Sequence, residues 1–497
     1  MRNIQTEPRS RCCAVCSSFD AEHAPDGLVR QLPLPVPPFA GLHAQISPDV
    51  RLVAATLKGT GNANAVFGTT QAGLVVRCPL KGRFVARAER GGEEHEGLLA
   101  SLEFRMWSGK SLVFTGDSAE DQLRYRSCIV APFIGVQYLP LAMRLDAGAF
   151  RVAAQPESLQ GRVDTDAAIL MVDGTLLAGL SGEGVVCIEM KPKFGGVVRC
   201  DTVPGRYRLL KRSVSRYQLH QSLKLEQGLI GRRSAYDPLD LFSNDPNRMR
   251  KALEALMDSP QNNLAVFLRG IRVPCEETAG GLDQACELLG LVDHAHLAVV
   301  LQGVLAWEGV LNDILRMQTV CEHDVQAVEA LLREMVGADP RRAETPGSRG
   351  ARGAAADDDN DDDNDDDNDD DNDDDDDGGN LGAFLDMMSS ADDSAALDLL
   401  ADYCIATTAK DCSILVSMAL AKSKPVASLD SPDTAAPGQM NMKQGSRPCE
   451  LGSFGGISYR VTVVDLDRKS LRKLEGHKRL DDEILGANVG LLHSFNS

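Results

Sequence analysis

The stretch VVCIEMKPKFGG, Val185 to Gly196, decides how the rest of the chain is read. Val185, Val186, Cys187 and Ile188 are apolar or β-favouring and predict a buried strand. Glu189, Lys191 and Lys193 then arrive at every second position, a period that on an extended chain aims all three at one face. One carboxylate and two ammonium groups at the end of a core strand call for a charged partner.

The surroundings say which charge. From Lys191 to Arg233 there are eleven Lys or Arg against only Asp201 and Glu226, a net +9 in 43 residues. Such a run is often no more than a solvated basic face. Here it begins at a strand end, and in RYQLHQSLK the residues Arg216, His220 and Lys224 recur every four, along one helical face. That placement points to a polyanion. The formal charge of −20 does not contradict it, because residues 357–377 contain 17 Asp and 4 Asn, and without those 17 charges the remainder stands at −3.

Further clusters complete the pattern. In VTVVDLDRKSLRKLEGHKRL, Val461, Val463 and Asp465 alternate outward along a predicted strand, Asp467 follows, and Lys469, Lys473 and His477 come next at helical spacing. Two carboxylates at a strand end suit Mg²⁺, and the basic face suits phosphates; a surface lattice of ion pairs has the same composition. Asp411, beside Lys410, lies between a predicted helix and the strand CSILVSMAL, where it is able to take a proton from an attacking hydroxyl or simply to cap the helix. Small residues in GTGNANAVFG, Gly59 to Gly68, let backbone N–H groups approach phosphates, although the Walker pattern is absent. Asn262 and Asn263 precede the strand LAVFL.

The remaining organisation follows from composition. At 497 residues and 43% hydrophobic content, the chain suits two or three lobes with a real core. Strands are predicted in RLVAATLKGTGNANAVFGTTQAGLVVRC, around a glycine-rich turn, and in CIVAPFIGV, AAILMV, VVCIEM, LAVFL, CSILVSMAL and SYRVTVVDLD. Helices are predicted over 281–336, over 394–408 and in DPNRMRKALEALM, with Asp245 as N-cap and Pro246 at the first position. The expected divisions are a disordered leader (1–45), an N-lobe (46–180), a C-lobe carrying the basic segment (181–336), a disordered acidic insert (337–380) and the rest of the C-lobe (381–497), with a flexible connector at 423–455. Thirteen scattered cysteines and the lack of an apolar leader or an 18-residue apolar run lead to the expectation of an intracellular protein, nuclear or cytoplasmic, with free thiols and no membrane partner. Cys12, Cys13 and Cys16 lack a nearby fourth zinc ligand. No nucleic-acid recognition motif accompanies the basic segment.

Taken in order, these residues resemble the inositol-pentakisphosphate 2-kinase family, whose members form phytate. The similarity rests on EMKPKFGG, RYQLHQSLK, YDPLDLFS, SPQNNLAVFLRG, DYCIATTAKDCSILVS and VVDLDRKSLRKLE, and covers roughly residues 57–84, 163–270, 394–420 and 458–485. It implies an α+β fold with two lobes, distantly like protein kinases, and an enzyme using ATP and Mg²⁺ on inositol pentakisphosphate; a monomer is the expectation, which the sequence does not settle. By the same resemblance, Gly59, Gly61, Asn62 and Asn64 belong to the loop over the nucleotide. Arg77 contacts phosphate, Asp173 falls at the adenine hinge, and Glu189 is a nucleotide-side carboxylate. Lys191 is implied as a catalytic residue at the junction of the two substrates, and Lys193, His220, Lys224, Asn262, Asn263, Lys469, Lys473 and His477 surround the inositol phosphates. Asp411 is the implied base, Asp465 the magnesium ligand and Asp467 a second one.

Departures from the family pattern are Ala265, where an arginine is usual (Arg269 is expected on the same strand face, four residues on), and His477 in place of tyrosine. Arg162 is the candidate for an arginine whose surrounding segment is unrecognisable. Only Cys321 and His323, with Asn312 at a histidine position, remain of a plant zinc site, so no zinc is expected. A catalytically inactive, inositol-phosphate-binding relative is the alternative reading.

Overall fold

Apolar alternation resolves into two six-stranded sheets in the computed structural model, which describes residues 52–60, 64–69, 73–81, 93–114, 118–145, 150–152, 159–165, 167–177, 184–203, 205–275, 280–337, 383–388, 393–421 and 451–490. The leader, nearly all of the acidic insert and the connector up to residue 450 lie outside these, as do Gly61, Asn62 and the three N-terminal cysteines. The fold is α+β.

The first sheet has the order β4-β6-β3-β2-β1-β5, built from β1 (Leu52–Thr60), β2 (Asn64–Thr69), β3 (Leu74–Pro79), β4 (Ala142–Arg144), β5 (Phe150–Val152) and β6 (Ile169–Val172). Only its β1–β5 pair is parallel. The second is antiparallel throughout, in the order β11-β12-β10-β7-β8-β9: β7 (Val186–Met190), β8 (Leu264–Leu268), β9 (Ile271–Val273), β10 (Ser413–Leu420), β11 (Gly452–Phe454) and β12 (Ile457–Val464). Thus β7, which carries Glu189, lies near the middle of its sheet, between β10 and β8, with Glu189 opposite Leu415 and Ala265.

Both faces of this second sheet are covered, which corrects one expectation. Val461 and Val463 do not point outward; they are buried in the main core with Ile188, Ile414 and Val416, beneath helices that contribute Leu253, Leu301 and Ile405. The opposite face buries Cys187, Ala265, Phe267 and Leu415. CIVAPFIGV is also not a strand. Arg126–Val130 forms a π turn and Ala131–Ile134 a short helix, because Pro132 suits a first helical turn and Val130 and Ile134, four apart, share one buried face. The helix Pro246–Asp258 starts as read, with Asp245 accepting from the N–H groups of Asn247 and Arg248 at 2.9 Å.

The 281–336 region divides into Gly281–Leu288, His294–Glu308, Val310–Gln318 and Val325–Gly337. Gly309, at φ 70°, ends one helix and bends the chain by 68° into the next. Among the described residues no single helix is long and apolar enough to cross a membrane. Cys187, Cys404 and Cys412 are buried free thiols.

One buried ionic cluster braces the helices that carry the basic residues. Lys211, on the helix Gly205–Ser213, donates to Asp324 and Asp481 at 2.6 Å each, all three about 95% buried, and Arg216 reaches Asp481 at 3.4 Å. Burial alone would lower the Lys211 ammonium, but the two carboxylates outweigh it and hold it above the ordinary lysine range. Lys211→Met leaves Asp324 buried without its cation and Asp481 with Arg216 alone, so urea unfolding should show a loss of about 3–5 kcal/mol. The triple variant K211M/D324N/D481N should recover most of that loss. A loss below about 1 kcal/mol in K211M would mean that the cluster is not the brace.

Candidate active site

The strand that begins the site ends earlier than its alternation suggests. After Met190 the backbone continues for one more bond, Lys191 N–H to the Asn263 carbonyl at 2.8 Å. The Pro192 carbonyl then accepts from the buried Tyr236 hydroxyl at 2.8 Å, and Lys193 turns into the left-handed region at φ 60°. A non-glycine residue there is strained by about 1–3 kcal/mol and persists only where its surroundings hold it. Gly195 is required by space, since a Cβ would lie 2.2 Å from the Phe242 ring. The two lysines converge by this turn rather than by strand period.

What they converge on is Asp411, in the turn after the helix Asp393–Lys410. Lys469 Nζ donates to its carboxylate at 2.8 Å. Enclosure by the surrounding protein would raise the Asp411 carboxyl; Lys469, then Lys193 and Lys191, override this and hold it below the usual range, so it is ionised at neutral pH. Burial pushes the Lys193 ammonium down, against the pull of Asp411 and with the push of Lys191 and Lys224.

The other acids stand one strand away. Asp465, just past β12, has φ 61° and accepts from Ser413 Oγ at 3.0 Å. Glu189 is raised above its ordinary value first by burial and then by Asp465, with Ser413 and Lys191 opposing. Asp467 is already engaged: Arg77 of β3 and Asn64 of β2 both donate to its Oδ2, the latter at 3.0 Å, tying the first sheet to the loop after β12. Arg77, Asp465 and Asp467 line a cavity with Gln122, Arg126 and Met171.

The basic face of the helix Arg216–Glu226 is as read, with Arg216, His220 and Lys224 half-buried and Tyr217, Leu219 and Leu223 inside. Lys224 and the exposed Asn262 border a groove of ≈ 820 Å³. Lys469, Lys473 and His477 do not share one helix. Lys469 lies in the loop before it, Lys473 ends a 3₁₀ turn, and only His477 is on Leu474–Gly486, with Nδ1 3.1 Å from the Tyr403 hydroxyl.

Lys191, Lys193 and Lys469 thus surround the ionised Asp411, with the carboxylates of Asp465 and Asp467 one strand away. The sequence pattern of the family described as inositol-pentakisphosphate 2-kinase matches residues 58–483. The chain belongs to the inositol-pentakisphosphate 2-kinase family. A protein of that name from Arabidopsis thaliana is 26% identical over 471 residues, covering 86% of this chain and 91% of its own. Another, from Danio rerio, is 33% identical over 145 residues, 27% of this chain and 28% of its own. A third, from Drosophila melanogaster, is 57% identical over 47 residues, 10% and 8% of the two chains.

Some family-implied positions have partners within the protein. Asn263 is 1% exposed and bonded to Tyr217, leaving Asn262 on the groove. Asp173 is buried, paired with Lys58 and accepting from the Thr175 N–H and hydroxyl at 2.9 and 2.6 Å. Gly59 lies on β1 rather than in a turn. Arg269 is not on the strand face but in the β8–β9 turn at φ 56°. Cys321 is bonded to the His323 carbonyl at 3.8 Å, His323 packs on Phe384, and Asn312 pairs with Asn244.

Three residues in or behind the site went unread in the sequence. Arg126 lies in the π turn, lowered to about 10 chiefly by burial. Arg272, opposite Phe267 on β9, acts on Glu189 beside the arginine-less Ala265. Gln318 is fully buried at a helix end. The π turn was hidden by its apolar composition, and isolated residues of these types carry no periodic signal.

The two cleft histidines give a pH test. His220 is held down to about 4 by burial, then by Lys224, Arg216 and Lys193; His477 likewise to about 4 by burial, then by Arg216, Lys469 and Lys473, against Asp411. Unfolded histidines protonate near 6.5, so between about 6.5 and 4 the unfolded chain binds more protons. The contribution of these sites to stability is therefore intact above about 6.5 and lost as pH falls toward about 4. Imidazole NMR titration should give midpoints near 4 for both in the ligand-free protein, rising when an inositol polyphosphate binds. Free-protein midpoints near 6.5 would contradict this electrostatic picture.

Proposed function

We propose that this protein transfers the γ-phosphoryl group of ATP to the 2-hydroxyl of inositol 1,3,4,5,6-pentakisphosphate, giving inositol hexakisphosphate and ADP. Membership of a kinase family implies ATP use. The observation that carries the substrate assignment is the encirclement of Asp411 by Lys191, Lys193 and Lys469, with His220, Lys224, Lys473 and His477 behind them. A substrate bearing several phosphates matches that density of cations; a protein hydroxyl or a simple sugar does not need it.

The chain's residues divide the work. Asp411, ionised and held by Lys469, orients the hydroxyl and accepts its proton as the oxygen bonds to phosphorus and the bond to the ADP oxygen breaks. Lys191 and Lys193 neutralise charge where the two polyanions meet. Such charge-assisted hydrogen bonds contribute about 1.5–3 kcal/mol each, and those made only in the transition state raise the rate. Lys193, Lys224, Asn262, Lys469, Lys473 and His477 hold the inositol phosphates, and Asn64 and Arg77 face the nucleotide side. The Asp465 and Asp467 carboxylates fit Mg²⁺, a hard ion satisfied by one or two carboxylates plus phosphate oxygens, and it would supply charge neutralisation on those phosphates. Asp465 suits it better, because Asp467 is shared with Arg77 and Asn64.

Asp411→Asn and Asp465→Asn, purified as folded proteins, should each lose at least about a hundredfold in kcat for ATP-dependent phosphorylation of inositol pentakisphosphate. D465N should regain part of its activity as Mg²⁺ is raised, and D411N should not. Wild-type-like turnover in D411N would remove the proposed base.

A further inference from the structure

We propose that Gln318 is a positioning residue that locks Lys193 and Asp411 into one frame; the inference rests on the phosphoryl-transfer reading above. Gln318 ends the helix Val310–Gln318 and is 0% exposed. Its Oε1 accepts from the Gly195 N–H at 3.0 Å, and its Nε2 donates to the Lys193 carbonyl at 2.7 Å and to the Ala409 carbonyl at 3.2 Å. One amide thus joins the lysine strand end to the last turn of the helix that delivers Asp411, two residues beyond Ala409.

The partners fix the orientation of this amide. A backbone N–H demands an oxygen, two carbonyls demand the NH₂ group, and both of its N–H donors are used. Ala409 is near a helix C-terminus, where carbonyls lack helical partners; its other partner, the Cys412 N–H, is at 3.5 Å. Lys193 is the residue held at φ 60°, a conformation that needs such external support. Adjacent packing sets the same junction laterally, with the Lys410 ammonium 4.5 Å from the centroid of the Phe194 ring. The helix bearing Gln318 is itself anchored by the fully buried Ile314 and Met317.

The frame matters because the two tethered segments supply opposite charges to one transfer. Without the amide, Lys193 relaxes from its strained turn and the Asp411 turn loses its fixed distance from it. Binding of the inositol phosphate and the transfer step should therefore suffer together, while nucleotide binding, which draws on the first sheet, stays intact.

Gln318→Leu keeps the shape and removes all three bonds. Measured beside the wild type, it should raise the KM for inositol pentakisphosphate about tenfold and lower kcat about ten- to hundredfold, with the KM for ATP within about twofold. A drop in rate that only follows the folded fraction, with both KM values unchanged, would make Gln318 merely structural and overturn the proposal. If Q318L does not fold, Gln318→Glu decides. Its protonated carboxyl can accept from Gly195 and donate to one carbonyl, whereas its ionised form can only accept. Its rate relative to wild type should rise as pH is lowered from 8 to 6, by about fivefold or more; a flat ratio would overturn the proposal. Absence of wild-type turnover would instead sink the assigned reaction, separately from the role of Gln318.

Discussion

The constraint on which this structure depends is that many cations must be held close together before the anion that neutralises them arrives. Lys191, Lys193 and Lys469 act on one carboxylate, Lys224 and Arg216 crowd His220, and Lys473 and Arg216 crowd His477. Left to themselves such groups would repel and spread. The fold resists this in three ways. It keeps both imidazoles neutral, it inserts Asp411 among the lysines, and it fixes the backbone rather than the flexible side-chain ends. The Tyr236 hydroxyl on the Pro192 carbonyl and the Asn263 carbonyl on the Lys191 N–H are devices of the third kind.

The same logic explains where ion pairs are buried. Lys211, Asp324 and Asp481 lie behind the cleft and join the helices that carry the basic face to the C-terminal helix. A hydrophobic contact of the same volume would hold these helices with equal strength. Removing any one of the three charges leaves a buried charge short of its partner. Across the cavity, Asp467 shares its oxygen between Arg77 and Asn64, so two strands of the first sheet are tied to the loop that follows β12.

Much of this was legible in the sequence where chemistry and period coincide. The strands LAVFL and CSILVSMAL, the capped helix after Asp245 and the basic face of Arg216, His220 and Lys224 follow from apolar period, N-cap chemistry and helical spacing. Asp411 was legible from its place between helix and strand. What remained hidden depends on the third dimension. The left-handed turns at Lys193 and Asp465 break the alternation that first drew attention to them. CIVAPFIGV looked like a strand because its apolar content masked a four-residue period and a helix-compatible proline. Val461 and Val463 were misread because a sheet covered on both faces gives no outward side. Asn263 resembles its neighbour in sequence, and only packing assigns one to the core and the other to the groove.

The central claim is that Asp411 directs one particular hydroxyl of a highly phosphorylated inositol onto ATP. The most direct test is the position of the new phosphate, read by proton and phosphorus NMR of the product made from ATP and inositol 1,3,4,5,6-pentakisphosphate in the presence of Mg²⁺. The account predicts a single product, phosphorylated at the 2-position, with one ADP released per molecule formed. A pyrophosphate on an existing phosphate group, or ADP released with no change in the inositol, would contradict it.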